Sequence, residues 1–250
     1  MLLWSTLQRR HHRSGARGRD LSDLLSIIVP VYNEARTVRQ VIDRLLSIPL
    51  PVDREVVVVN DGSTDETARV LDAVPPVPGL LTIVHAPHNG GKGSAVRIGL
   101  KHARGTIIAI QDADLELDPV QLAGLVQPIL DGDAEVVYGS RFLLGRPAGP
   151  WLSIAANRGL TAITNVLFGG HLTDMETCYK VMKAPIALGL HLECNRFDIE
   201  PEITAKLLRQ RHRIVERPVK FDPRSRASGK KIGWRDGFQA IAVLLKYRFR

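Results

Sequence analysis

The chain has 250 residues, of which 44% are hydrophobic and 24% charged, a balance typical of a soluble globular protein and not of a disordered or fibrous one. No apolar run approaches the roughly 20 residues that cross a bilayer, so we expect no membrane span in this sequence. The two cysteines, Cys178 and Cys194, exclude a disulfide scaffold and favour a reducing cytosol.

The net charge of +8 is unevenly distributed along the chain. Residues 206–250 contain 14 lysines and arginines against three acidic residues, and residues 1–20 contain five arginines against one aspartate. A mildly acidic body with two basic ends indicates an anionic partner. Nucleic acid, an acidic membrane surface and a phosphorylated substrate are the candidates.

Buried strands alternate with helices after a basic start. Residues 1–23 show little apolar periodicity and are interpreted as a flexible tail. Apolar strands are predicted over 26–31, 55–59, 81–84 and 106–110, with helices over 34–46, 64–71 and 94–103. This order predicts an α/β domain over 24–231, built on a Rossmann-like sheet that is mainly parallel and has helices on both faces.

The last residues, 232–250, are predicted to form an amphipathic basic helix. Trp234, Phe238, Ile241 and Phe249 recur at nearly helical intervals among arginines and lysines. Such a helix either lies on a membrane surface or packs on the protein's own core. The expected location is therefore the cytoplasm, either free or peripheral at the cytoplasmic face of a membrane.

Polar clusters follow four predicted strands or open the next helix: PVYNE (30–34), NDGSTD (60–65), NGGKG (89–93) and QDADLE (111–116). Sheets of this kind bind ligands at the carboxyl ends of their strands. Asp112 and Asp114, one residue apart, suit a hard divalent cation such as Mg²⁺ or Mn²⁺. The alternative is that they only cap the following helix. The glycine-rich cluster matches neither the P-loop nor the dinucleotide-binding spacing.

Eight motifs then occur in order from about residue 26 to 238: IIVPVYNE, VVVVNDGSTDET, NGGKGSAVRIGLKHARG, IIAIQDADLELDP, VVYGSRF, LTDMETCYKV, FDIEPEITAKLLRQ and PRSRASGKKIGWRDGF. In these motifs the chain resembles the family 2 glycosyltransferases with the GT-A fold. It is most similar to the dolichyl-phosphate mannose synthase-like branch, which glycosylates polyprenyl phosphates. The resemblance implies an inverting, metal-dependent transfer from a GDP- or UDP-sugar to a polyprenyl phosphate.

The resemblance also assigns donor-side residues. The positions that match nucleotide-binding residues of the family are Pro30, Tyr32, Glu34, Asp61, Lys92 and Asp112. The positions that match the metal-binding DxD motif and the side chain just beyond it are Asp112, Asp114 and Glu116. A bound Mg²⁺ or Mn²⁺ would neutralise the leaving diphosphate as the glycosidic bond breaks.

On the acceptor side, Arg141, Arg158 and Arg224 match positions that grip the acceptor phosphate, and with Asp114 they form the expected catalytic set. Arginine suits bidentate phosphate binding, although any one of them alone could be an ordinary surface residue. A lipid phosphate is already anionic near neutral pH, so it needs positioning more than proton removal.

Two other functions stay open. A sugar or protein hydroxyl acceptor would need a general base, for which Asp198 or Glu200 is the candidate. A basic nucleic-acid-binding protein is the other alternative, but aromatic residues are only 5% of the chain and no nucleic-acid motif is present. Cys178 lies in ETCYK, where relatives carry a TSGFR-like stretch, and this departure affects acceptor or sugar specificity.

Overall fold

The computed structural model describes residues 23–223 and 234–250, with side chains in the last segment from residue 237 onward. The strands are β1 (Leu24–Val31), β2 (Asp53–Asn60), β3 (Leu81–His85), β4 (Ile107–Ile110), β5 (Val136–Ser140), β6 (Lys180–Lys183) and β7 (Ile214–Pro218). The α-helices are α1 (Val38–Ser47), α2 (Thr67–Asp72), α3 (Lys92–His102), α4 (Leu122–Leu130), α5 (Trp151–Phe168), α6 (Ala184–Gly189), α7 (Ile199–Arg209) and α8 (Trp234–Phe249). The basic tail predicted over 1–23 lies outside these ranges except for its last residue.

The strands form one sheet in the order β3-β2-β1-β4-β6-β5-β7. Strand β6 runs antiparallel to both of its neighbours, β4 and β5. The remaining pairs are parallel. This confirms the prediction of a single α/β domain with a mixed, mainly parallel sheet.

Helices cover both faces of the sheet because successive side chains of a strand point to opposite sides. Ile27 and Val29 of β1 belong to the core cluster that includes Val41 and Leu45 of α1. Ile28, between them, belongs to the opposite cluster, together with Val96 of α3. All six side chains are buried, and the apolar stripe predicted for α1 is the face that it buries.

The strand register brings the polar clusters together at one edge. Val31 pairs with Asn60, so the residues after β1 and β2 emerge side by side. Ile28 of β1 pairs with Ile110, the last residue of β4, so Asp112 follows at the same edge. The carboxyl ends of these parallel strands therefore form the floor on which a ligand can bind.

All three predicted helices begin at other residues than expected, and α2 begins at Thr67, three residues late. The chain from Glu34 to Thr37 forms a turn, in which the Glu34 carbonyl accepts from the amides of Thr37 and Val38, and α1 begins only at Val38. Helix α3 begins at Lys92, two residues early, because Gly91 supplies a left-handed backbone angle (φ 93°) immediately before it.

Helix α8 packs against α5 and α7. Val243, Leu244 and Tyr247 are buried, and the Tyr247 hydroxyl donates to Glu202 Oε1 at 2.7 Å. Phe238 and Phe249 on the same helix are 67% and 82% exposed. The helix thus packs on the core and still presents aromatic side chains to solvent. Within the described ranges, no helix combines the length and the apolar character needed to cross a bilayer.

Candidate active site

Asp61, just after β2, organises the glycine-rich loop. Its carboxylate accepts from the amides of Gly90 (2.9 Å) and Gly91 (2.7 Å) and from Nδ2 of Asn89 (2.9 Å). Asp61 is 2% exposed, and this burial raises its pKa although the two amides act in the opposite direction. A carboxylate has about four acceptor positions, so the loop leaves room for roughly one more bond. Its contact with a nucleotide stays a prediction.

The segment after β1 is fixed to the segment after β2. Asn33 has a left-handed backbone (φ 55°), and its amide donates to Ser63 Oγ at 3.0 Å. The Glu34 amide donates to Thr67 Oγ1 at 2.9 Å, and Glu34 is buried. Pro30 and Tyr32 are half-buried on either side of the end of β1. The four residues predicted to bind base and ribose, Pro30, Tyr32, Glu34 and Asp61, therefore lie on two neighbouring segments.

Lys92, the first residue of α3, lies between two carboxylates. Its Nζ is 2.8 Å from Asp112 Oδ1 and 2.8 Å from Glu200 Oε1, and its side chain is only 10% exposed. Although burial acts to lower it, the charges of Asp112 and Glu200 raise the pKa of Lys92 well above its usual value. Lys92 is thus a permanent cation beside the carboxylate of the DxD motif.

Glu200 has a second lysine partner. Lys180 of β6 is fully buried, and its Nζ donates to Glu200 Oε2 and to the carbonyls of Met175 (3.1 Å) and Thr177. Burial opposes ionisation, but the charges of Lys180 and Lys92 hold the pKa of Glu200 below its usual value. Glu200 is therefore a stable anion in an ionic cluster, which makes it a poor proton acceptor.

The carboxylates predicted to bind metal follow β4. Asp112 and Asp114 are partly exposed, and the Glu116 amide donates to Asp114 Oδ1 at 3.1 Å across Leu115, which has a left-handed backbone (φ 62°). In the part of the chain that the structure describes, no three His, Cys, Asp or Glu side chains are grouped so that they could hold a metal. The triad with Glu116 is thus not assembled here. Two carboxylates nevertheless fit Mg²⁺ or Mn²⁺, because such ions commonly take one or two carboxylates together with substrate phosphates.

Arg141, after β5, is held by Asp174. Its Nε and Nη2 each donate to one Asp174 carboxylate oxygen at 2.7 Å, and its amide donates to the same carboxylate at 3.0 Å. The guanidinium also lies 5.4 Å from the centre of the Phe221 ring. Since this side chain has five N–H donors and the pair uses two, the remaining donors are available for an anion.

Glu216 of β7 in turn fixes Asp174. Its carboxylate accepts from the amides of Thr173 and Asp174 at 2.9–3.0 Å and from Thr173 Oγ1 at 2.9 Å. Burial raises the pKa of Glu216, an effect that the Thr173 hydrogen bonds oppose. Arg141 is thus held in place by hydrogen bonds that run through Asp174 to Glu216.

The other acceptor-side candidates are placed differently. Arg158, on α5, is exposed and lies 5.3 Å from the centre of the Phe142 ring. Arg224 belongs to residues 224–233, which lie outside the described residues. Asp198 precedes α7, and its Oδ1 accepts from the Arg196 amide at 2.8 Å.

The start of α3 is pressed against the chain that leads into α7. A Cβ on Gly91 would lie 2.5 Å from the Asn195 carbonyl oxygen, and one on Gly93 would lie 2.3 Å from that of Cys194. The Ser94 amide donates to the Asn195 carbonyl at 3.0 Å. Only glycine permits this approach, which joins the Lys92 loop to the segment that carries Glu200.

Sequence reasoning missed the roles of Asp174, Glu176, Lys180 and Glu216. The first three lie in LTDMETCYKV, a stretch that the motif comparison does contain. The partners of Asp174, Lys180 and Glu216, however, are 33, 20 and 42–43 residues away in sequence. Cys178, in the same stretch, is buried, and burial raises the pKa of its thiol well above the usual value. A buried thiol that stays protonated can pack beside the site, but it does not act as a nucleophile.

Residues 26–187 match the family model for glycosyl transferase family 2. The chain belongs to this family. It is 29% identical over 208 residues to the glycosyltransferase AglD of Haloferax volcanii, covering 80% of this chain and 33% of AglD. It is 26% identical over 216 residues to the dolichol-phosphate mannosyltransferase of Pyrococcus furiosus (84% of this chain, 59% of the relative). It is also 31% identical over 182 residues to the dodecaprenyl-phosphate galacturonate synthase of Rhizobium johnstonii (69% and 52%).

The fold is also similar to that of a solved glycosyltransferase. Glucosyl-3-phosphoglycerate synthase from Mycobacterium tuberculosis, solved with Mn²⁺, UDP and glucosyl-3-phosphoglycerate, matches with a TM-score of 0.70 at 20% identity, covering 95% of this chain and 86% of the other. This confirms the predicted GT-A fold. The family 2 chain described here spans between a third and three fifths of the length of the three curated relatives named above.

Proposed function

We propose that the protein is an inverting glycosyltransferase that moves a sugar from a nucleotide-diphosphate donor to a polyprenyl phosphate. The observation that carries this proposal is that one short segment, residues 174–180, joins two groups of ion-paired cations, which we interpret as two oxyanion sites. At one end Asp174 holds Arg141, and at the other Lys180 joins Glu200, Lys92 and Asp112. Two relatives are named for dolichol phosphate and dodecaprenyl phosphate, which supports this acceptor class.

The donor would bind over the ends of β1, β2 and β4. Pro30, Tyr32, Glu34 and Asp61 would surround the nucleoside, and Lys92 would face the diphosphate. Asp112 and Asp114 would hold Mg²⁺ or Mn²⁺ together with that diphosphate, and the ion would supply charge neutralisation for the leaving group. The neighbouring fold solved with UDP and Mn²⁺ is consistent with such a donor.

The acceptor phosphate would bind at Arg141, with Arg158 and Arg224 as further cations. One of its oxygens attacks the anomeric carbon from the face opposite the diphosphate. The new carbon–oxygen bond forms as the bond to the diphosphate breaks, and the nucleoside diphosphate leaves with the bonding electrons. The configuration at that carbon is thereby inverted.

The state of Glu200 favours a phosphate acceptor over a hydroxyl acceptor. A hydroxyl nucleophile needs a base that can take its proton, whereas a phosphate is already an anion. Glu200, one of the two bases considered, is paired with Lys92 and Lys180, and these charges hold its pKa low. Asp198 is the base that the hydroxyl alternative would then have to use.

We also propose contact with a membrane surface through α5 and α8. These neighbouring helices expose large apolar side chains: Trp151, Leu152 and Val166 on α5, and Phe238 and Phe249 on α8. Arg158, Lys246, Arg248 and Arg250 lie on or just after the same helices, exposed. Aromatic side chains at headgroup depth with cations beside them are typical of reversible attachment to anionic lipid.

The direct test incubates the pure protein with radiolabelled GDP- and UDP-sugars, Mg²⁺ or Mn²⁺, and a short polyprenyl phosphate. We expect label to move into the organic phase from one nucleotide class, and to fail to move when EDTA is added. Transfer to polyprenol or to a sugar hydroxyl, but not to the polyprenyl phosphate, would overturn the acceptor assignment.

A further inference from the structure

The structure assigns a role to Glu176, which lies on the segment between the two oxyanion sites. This segment is rigid: the Thr177 hydroxyl donates to the Gly139 carbonyl at 2.6 Å, and Lys180 Nζ donates to the carbonyl of Met175 at 3.1 Å. Glu176 therefore has a fixed place between the Arg141–Asp174 pair and the Lys180–Glu200 pair.

One carboxylate oxygen of Glu176 has no internal partner. Oε1 is buried and, among the described residues, receives no hydrogen bond. Two nearby carboxylates are, by contrast, well supplied with hydrogen bonds. Asp174 accepts three from Arg141. Glu216 accepts four from Thr173 and Asp174. Buried polar atoms in folded proteins are nearly always bonded. Glu176 as a whole is only half-buried, so a ligand group at its carboxyl is the partner that would complete this bonding.

The charges around Glu176 describe that ligand group. Burial and the nearby charge of Glu200 raise the pKa of Glu176 to about 7, while Lys180 and Arg141 act in the opposite direction. Near neutral pH the carboxyl is therefore divided between a protonated form that donates and an ionised form that accepts. A neutral hydroxyl, which can also do both, is the matching partner.

The position of the transferred sugar follows from the proposed function, on which this inference rests. The donor diphosphate lies at Asp112 and Lys92, the acceptor phosphate lies at Arg141, and the anomeric carbon must lie between them. The sugar ring is then above residues 174–180. We propose that Glu176 binds a ring hydroxyl of the transferred sugar and so selects a neutral hexose over a uronic acid.

The selection against an acidic sugar has an electrostatic reason. The cations nearest to Glu176, Lys180 and Arg141, are already paired with Glu200 and Asp174. A carboxylate on the donor sugar would meet Glu176 and Glu200 without an unpaired cation to balance it. The repulsion between these like charges would disfavour binding.

The test combines substitutions of Glu176 with removal of single hydroxyl groups from the donor sugar, as in a double-mutant cycle. Initial rates are measured for parent, Glu176→Ala and Glu176→Gln with UDP-glucose or GDP-mannose, whichever the parent uses, and with its 2-, 3-, 4- and 6-deoxy analogues. Binding of UDP or GDP alone is measured by calorimetry. Glu135→Ala, an exposed glutamate on the sheet's opposite end, is the matched control.

We expect Glu176→Ala to lower kcat/KM for the full sugar about 10-fold or more while affinity for UDP or GDP stays within twofold, with partial recovery in Glu176→Gln. With one of the deoxy analogues, kcat/KM of the parent should fall by a similar factor. In Glu176→Ala, kcat/KM for that analogue should be little lower than kcat/KM for the full sugar. Equal, additive losses for all analogues would overturn the inference, as would loss of kcat in Glu176→Gln with an unchanged donor KM, which would indicate a base. If the parent binds neither UDP nor GDP, the proposed function fails and this inference falls with it.

Discussion

Lys92 at the start of α3 and Glu200 in the first turn of α7 are joined by an ion pair, with 2.8 Å between Nζ and Oε1. The same nitrogen lies 2.8 Å from Asp112. One lysine therefore links the glycine-rich loop, the DxD segment and helix α7. Because the side chains of Lys92 and Glu200 are only 10% and 4% exposed, their ion pair also contributes to the stability of the fold.

Replacing Lys92 by methionine should destabilise the fold. The change leaves Asp112 and Glu200 without one of their cations, and breaking a buried pair costs on the order of 3 kcal/mol. Urea unfolding measures the difference. Lys101→Met, an exposed site on the same helix, should change stability by less than about 0.5 kcal/mol. Equal stability of the two variants would contradict the importance of the pair.

Replacing Asp114 by asparagine should reduce transfer roughly 100-fold or more, since the leaving diphosphate loses charge stabilisation. The measurement is the initial rate against Mg²⁺ and Mn²⁺ concentration. Asp133→Asn, at an exposed position, is the control. We expect a smaller loss for Asp112→Asn, since Lys92 still lies beside that position. A parent rate that does not depend on metal would contradict this prediction.

Arg141→Lys should weaken acceptor binding selectively. Lysine keeps the charge but loses the fork that both grips Asp174 and offers further N–H donors. The KM for polyprenyl phosphate should rise about 10-fold, with the donor KM nearly unchanged. Asp174→Asn should also raise the KM for polyprenyl phosphate, because it releases Arg141. Arg39→Lys, at an exposed position of α1, should leave both KM values unchanged. A parallel rise in donor KM would place Arg141 on the donor side.

Glu176→Gln should stabilise the protein in a pH-dependent way. The pKa of Glu176, near Glu200, Lys180, Arg141 and Asp174, is raised from 4.5 to about 7. The folded state thus binds more protons than the unfolded state between these values, and its stability falls as pH rises through that window. Relative to the parent, the variant should gain on the order of 3 kcal/mol at pH 8 and little near pH 4.5.

Thermal unfolding at half-unit pH steps measures this gain. Glu135→Gln, which is exposed beside Lys183, supplies the baseline. A stability difference between Glu176→Gln and the parent that stays constant from pH 4.5 to pH 8 would show that Glu176 does not titrate as expected.

The double variant Phe238→Ser/Phe249→Ser should lose attachment to vesicles that contain phosphatidylglycerol, while its melting temperature stays close to the parent's. Both side chains are exposed, so the loss concerns the bilayer and not the core. Flotation at low salt is the measurement, with Gln239→Ser as control. Leu244→Ser should instead unfold the protein, because Leu244 is fully buried. Flotation of the double variant equal to the parent's would argue against α8 as a contact.

The sheet and the grouping of polar residues at its edge could be predicted because their signals are local. Apolar runs such as those of β1 and β2 mark buried strands, and the polar residues that follow them lie at one edge in any parallel sheet. The start of α1 could not be predicted to the residue. Glu34 to Thr37 contains helix-forming residues, but its bonds to Thr67 and its own turn compete with the helix.

The clusters around Arg141 and Lys180 depend on long-range pairing that periodicity does not reveal. Lys180 would be expected at a surface, yet it is fully buried in β6 because Glu200 and two carbonyls surround its ammonium group. Likewise, nothing local marks Glu216 as the support of Asp174. Such residues become visible only once the antiparallel insertion of β6 is known.

The close contact of Gly91 and Gly93 with Asn195 and Cys194 bears on how this enzyme could be re-engineered. A chimera that imports a relative's glycine-rich loop alone would meet a neighbouring backbone shaped for different atoms, and the fit would be lost at the place where Lys92 begins its helix. Residues 89–97 and 193–200 should therefore be exchanged together, as one discontinuous cassette. Donor preference would then be transferred by two segments that lie about a hundred residues apart in the sequence.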